Sequence, residues 1–78
     1  MIKNDFFNEL YLFLEIKSIT ALNETTVLKT LAEWDSMLII TIIAFIDQHF
    51  NKTVSAEQLN TIMSVGDLMK IIGSDNFE

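Results

Sequence analysis

Apolar and polar positions alternate along the start of the chain with the period of a helix. Phe6, Phe7, Leu10, Tyr11, Phe13 and Leu14 recur every three or four residues, and Asp5, Asn8, Glu9 and Glu15 fall between them. With 3.6 residues per turn this puts the six apolar side chains on one face and predicts an amphipathic helix over about residues 3–16. Leu12 falls on the polar side, where a single exposed leucine is unexceptional. From Ser18 to Trp34 the period fades: Ile19, Leu22, Val27, Leu28 and Leu31 are spaced irregularly among polar residues. This reads as a long connection pinned to the core. A structureless loop of this length is uncommon in a compact domain, so it either contains a short helical turn or serves function.

Asp35 and Ser36 precede the most apolar stretch of the chain, and either side chain could accept a hydrogen bond from the free amides of a helix start. The stretch predicts a helix over 36–50. Its isoleucines (Ile39, Ile40, Ile42, Ile43, Ile46) would also suit a buried strand, and length decides for helix. Such a helix is apolar on nearly all sides, so it is central or offers an apolar face to a partner. Ser55 with Gln58 three residues later has the form of a capping box and opens a short helix over 56–61. Ser64 with Asp67 repeats the signal. The helix that follows, 65–72, carries Val65, Leu68, Met69, Ile71 and Ile72, and Gly73 stands where a left-handed residue often closes a helix. Residues 74–78 read as a frayed tail. The expectation is an all-α fold, one domain over 1–78: a small four-helix bundle with three longer helices, one short helix, and a long loop between the first two long helices.

Composition sharpens this picture. Proline is absent and glycine occurs only as Gly66 and Gly73, which suits helices better than hairpins. Seventy-eight residues, half of them hydrophobic and 21% charged, make one small packed core rather than a disordered chain. The net charge of -6 repels a phosphate backbone, and Lys3, Lys17, Lys29, Lys52 and Lys70 are scattered, so no nucleic-acid partner and no polybasic membrane hold are expected. The apolar run from Met37 to Ile46, broken by Thr41, is well short of the ~20 residues of a spanning helix. No basic region followed by an apolar stretch marks the amino terminus as a secretory signal, so the expected setting is cytoplasmic, without a membrane span and with basic partners. There is no cysteine; any thiol chemistry has to be imported.

The inventory disfavours an enzyme. His49 is the single histidine, placed near a helix end where a cation is favoured, and a general base needs an oriented partner and a nucleophile in reach. The carboxylates are dispersed, with no metal-ligand spacing. Met63 and Met69 read as ordinary core, although methionine adapts readily and could line a crevice.

The informative stretch is Leu31, Ala32, Glu33, Trp34, Asp35, Ser36, Met37. In purely structural terms Asp35 or Ser36 caps a helix, and Trp34 and Met37 seal its end. Asp35-Ser36-Met37 also resembles the Asp-Ser-Leu signature of acyl and peptidyl carrier proteins, with methionine in place of the usual leucine. The likeness extends along the chain: a helical start, a long loop ending in Asp-Ser, a helix closed by Phe50, a short helix, then Met63, Ser64, Val65, Gly66, Asp67 and Leu68 leading into the last helix.

The resemblance implies an acyl carrier protein, a phosphoprotein of fatty-acid, polyketide or lipid biosynthesis that is not itself an enzyme. A phosphopantetheinyl transferase would move 4′-phosphopantetheine from coenzyme A onto Ser36, with Asp35 in support. The partners implied are that transferase, an acyl-loading ligase, and acyl-transferring or synthase enzymes. An aminoacyl, peptidyl or D-alanyl carrier shares the signature; a small helical interaction module with no prosthetic group is the alternative from another class. Family members usually dock through acidic residues on the second helix. Here Met37, Leu38, Ile40, Thr41 and Ala44 occupy the face following Ser36, and Asp47 is the lone acid. Met37, Leu38 and Ile40 read equally as core or dimer contacts and as docking residues; docking, if it occurs, is expected to be hydrophobic.

Overall fold

Four α-helices and two short 3₁₀ turns make up the computed structural model, which describes residues 1–77: α1 (Lys3–Phe13), α2 (Ser36–Phe50), α3 (Ala56–Thr61) and α4 (Val65–Ile72), with turns at Leu28–Thr30 and Ser74–Asn76. There is no strand among the described residues; Val27 and Ser64 form an isolated bridge. The protein is all-α.

The first helix stops sooner than its apolar period predicts. The amide of Glu15 donates to the carbonyl of Leu12 (3.1 Å) and that of Ile16 to Tyr11 (3.3 Å), the paired closing bonds of a Schellman motif. Glu15 takes φ of 54°, a left-handed position where a side chain costs roughly 1–2 kcal/mol relative to glycine. Burial of Leu14 and Ile16 offsets that cost. The Tyr11 hydroxyl then donates to the carbonyl of Ile19 (2.6 Å) and holds the departing chain against α1.

The connection from 18 to 35 is not structureless. It folds into the turn at Leu28–Thr30, and its backbone binds the segment ahead of α4. Gly66 N donates to Glu24 O (2.8 Å), Val65 N to Thr26 O (2.9 Å) and Leu28 N to Met63 O (2.8 Å). The first of these bonds explains Gly66, where a Cβ would lie 3.1 Å from the Glu24 carbonyl oxygen. The loop is thereby tied to α4 rather than lying free over the surface.

The helix starts follow local rules. Asp35 caps α2, Ser55 and Gln58 form a capping box on α3, and Ser64 and Asp67 form one on α4. Asn51 closes α2 in the left-handed conformation, which asparagine tolerates. Gly73 has φ +115° and ψ +120°, positive but outside the left-handed helical well that the sequence suggests. The tail is not frayed through Phe77: the second turn leads Phe77 onto the core, its ring 4.9 Å from Phe6 and 5.5 Å from Phe50. Glu78, counted in that tail, lies outside the described residues.

One apolar cluster unites all four helices. It contains Phe6, Leu10, Ile42, Phe45, Ile46, Leu59, Val65, Leu68 and Ile72 with the loop residues Leu22, Leu28 and Leu31. In α2 the buried residues are Leu38, Ile39, Ile42, Phe45 and Ile46, a helical face aimed inward. No polar side chain is buried among the described residues, so the core is held by apolar burial and close packing. His49 lies at the α1–α2 contact, its ring 4.3 Å from Phe45 and its Nδ1 3.5 Å from a Glu9 oxygen; it joins helices. No helix among the described residues is long and apolar enough to cross a membrane.

Candidate functional site

The site is the amino-terminal end of α2 and the segment that delivers it. Of the two candidate caps, Asp35 does the capping: its extended backbone (φ -157°) turns the carboxylate back over the first turn, where Oδ1 accepts the Leu38 amide at 2.8 Å. Ser36 is therefore the first residue inside the helix. Its side chain is exposed, and its hydroxyl makes no hydrogen bond among the described residues. The amides of Ser36 and Met37 precede the first helical bond, made by Ile39 N to Asp35 O at 3.2 Å, and donate to no other group there. A free hydroxyl thus stands beside two unpaired donors at the positive end of a fifteen-residue helix dipole.

The segment leading into Ser36 is fixed from both sides. Leu31 is buried and Trp34 packs against the core. Between them Glu33 reaches across to the chain leaving α1: Oε2 accepts the amides of Lys17 (2.8 Å) and Ser18 (2.9 Å), and Oε1 accepts the Ser18 hydroxyl (2.6 Å). The Ser18 hydroxyl first, and the Lys17 amide next, lower the Glu33 pKa from the ordinary 4.5 to about 2. Asp67 is lowered too, by the amides of Met63 and Ser64.

Both carboxylates are more acidic folded than unfolded, so what they contribute is present above the unfolded value and lost as pH falls. For Glu33 that window runs from 4.5 down to about 2. The thermal midpoint is expected to hold from neutral pH to the upper edge of this window and to decline below it. A Glu33→Gln chain should start lower and decline less steeply, as thermal scans by circular dichroism would register.

Beyond Ser36 the outward face of α2 is apolar. Met37 and Ile40 are 67% and 58% exposed, Ala44 is exposed and Thr41 half-buried, with the Thr41 hydroxyl donating to the Met37 carbonyl at 2.9 Å. Spacings of three, four and seven residues put these four side chains on one stripe. Asp47 is exposed one turn further on. Leu38, placed by the sequence on the same face or in the core, belongs to the core: it is 7% exposed and buried with its neighbour Ile39. Met63, expected in the core, is 60% exposed. Its backbone position is fixed by the bond from Leu28, which leaves the side chain outside; Met69 is buried.

The sequence reading assigns no role to Glu33. Its partners are fifteen and sixteen residues away, and no local pattern announces them. No family model, no curated protein and no solved structure matches this chain.

Proposed function

We propose that the protein is an acyl carrier, modified with phosphopantetheine on Ser36 and carrying acyl groups as thioesters on that arm. The observation that carries this reading is the Ser36 hydroxyl, exposed at the start of α2 and without a hydrogen-bonding partner among the described residues, in an Asp-Ser-Met triplet that resembles the family signature. The residues present fit the group. A phosphodiester at Ser36 would adjoin the two free amides and the positive end of α2, which favour a phosphate ester. Asp35 is spent on the Leu38 amide and leaves the serine hydroxyl uncommitted. The bound arm supplies a thiol, which this cysteine-free chain lacks.

The chain's own part in attachment is to present Ser36. Its oxygen forms the new phosphoester bond and loses its proton; the bond from phosphorus to the nucleotide part of coenzyme A breaks. The two nearby carboxylates are already engaged, Glu33 by Lys17 and Ser18 and Asp35 by the Leu38 amide, so the transferase is expected to supply the proton acceptor and the metal ion. Once loaded, a tethered cargo meets partner enzymes at raised local concentration, and the carrier itself catalyses nothing. The ligase and synthase partners remain those the resemblance implies. An aminoacyl or D-alanyl cargo would use the same hydroxyl; the acid activated by the matching ligase separates these readings.

Incubation with coenzyme A, magnesium and a broad-specificity phosphopantetheinyl transferase is expected to add one phosphopantetheinyl group, read by intact mass. A chain that stays unmodified while a control carrier is loaded would instead be a helical interaction module. Docking should run through Met37, Ile40 and Ala44. Affinity for a loading enzyme is then expected to change little as salt shortens the screening length below about 10 Å; a steep loss would mean that scattered acids such as Asp47 carry recognition.

A further inference from the structure

The segment that delivers Ser36 carries two carboxylates with different tasks. Asp35 binds forward into α2. Glu33 binds backward, to the chain leaving α1, through three donors at 2.6 to 2.9 Å. Trp34, between them, packs on the core, and Leu31 N and Trp34 N close successive turns onto Leu28 O and Leu31 O (both 3.1 Å). Residues 28–35 therefore form a strut from the end of α1 to the start of α2. Its one tie across to the α1 exit, among the hydrogen bonds of the described residues, is the Glu33 carboxylate. Three donors converging on one carboxylate form a stronger and more directional tie than neutral bonds. The carboxylate stays ionised throughout the physiological range.

We infer that Glu33 is a positioning residue for the modification of Ser36: by anchoring the strut to Lys17 and Ser18 it holds the hydroxyl where an attacking oxygen has to stand. This rests on the carrier reading above. Phosphoryl transfer depends on in-line placement of the attacking oxygen, and misplacement by about 1 Å costs up to 100-fold in rate. A tie made three residues ahead of the nucleophile, to Lys17 and Ser18 and through no residue of the α2 stripe, should affect the chemical step and leave docking intact. The loss is expected in kcat, with KM unchanged.

The test is steady-state phosphopantetheinylation of wild type, Glu33→Ala, Glu33→Gln, Ser18→Ala and Ser55→Ala, each assayed well below its melting midpoint. Glu33→Ala should lower kcat about tenfold at unchanged KM. Ser18→Ala, which removes one of the three donors, should fall part way, and Glu33→Gln, which keeps an acceptor for the amides, should be partly rescued. Ser55→Ala weakens the α3 cap, whose side-chain bonds stay between Ser55 and Gln58; it lowers the midpoint and should leave kcat alone, which separates positioning from general loss of stability. Hydrogen exchange at the Lys17 and Ser18 amides should accelerate in Glu33→Ala while exchange in the α2 core stays slow. A loaded wild type with Glu33→Ala at the same kcat, or with Ser55→Ala losing as much, overturns the positioning role and leaves the carrier reading standing. A wild type that takes no arm overturns both.

Discussion

A Phe6→Ala chain is expected to lose about 3–5 kcal/mol of stability, the usual cost of deleting a fully buried phenylalanine. Phe6 is completely buried, and its ring meets Phe7, Phe45, Phe50 and Phe77 edge-on at 4.9 to 6.0 Å. It is the point where α1, α2 and the carboxy-terminal turn converge. Truncation removes apolar burial from one side chain and aromatic contacts from four others, in a core too small to collapse around the gap. At roughly 0.05–0.15 kcal/mol per residue, a domain of this length holds only about 4–12 kcal/mol in total. The thermal midpoint should fall by at least about 12 °C, since each kcal/mol is worth about 4–8 °C at this size. Leu12→Ala is the control. Leu12 is 73% exposed, and its loss should stay within about 0.5 kcal/mol. Calorimetry showing the two variants alike would contradict the placement of Phe6.

Ser36→Ala is expected to abolish attachment of the arm while leaving the fold intact. Its side chain is exposed and takes no part in capping α2, so its removal should change stability by no more than about 0.5 kcal/mol. The effect on attachment is all or none, because no phosphoester forms without the hydroxyl oxygen. Asp35→Ala gives the converse pattern. It deletes the α2 cap at about 1 kcal/mol, lowering the midpoint, and keeps the acceptor oxygen. Circular dichroism and intact mass on the same two samples separate presentation of the nucleophile from maintenance of the helix. A Ser36→Ala chain that still gains the arm would mean that another hydroxyl is the acceptor.

How much of this was legible in the sequence depended on the range of the interactions. Ser55 with Gln58 and Ser64 with Asp67 announce α3 and α4 because each cap is completed within four residues. That residues 36–50 form a helix follows from the length and apolar content of the stretch. The end of α1 was hidden because Glu15 closes it at positive φ, in a position where glycine is the usual sign. Met63 was misplaced, and Leu38 was left open between core and docking, because apolar content says how much of a segment is buried and only tertiary packing says which side chains are. The inner structure of the loop was invisible for the same reason: its bonds to Met63, Val65 and Gly66 span about forty residues. At the site, the Asp-Ser pair could be read, and which of the two caps could not; Glu33, tied to a distant turn, left no trace.

The central claim is that one particular oxygen in this chain accepts the phosphate ester. Proteolysis of the transferase-treated protein followed by fragmentation mass spectrometry tests it most directly. The account predicts a single modified peptide, with the added group confined to Ser36. The group on Thr41, Ser64 or any other hydroxyl, or no modified peptide beside a loaded control carrier, would contradict it.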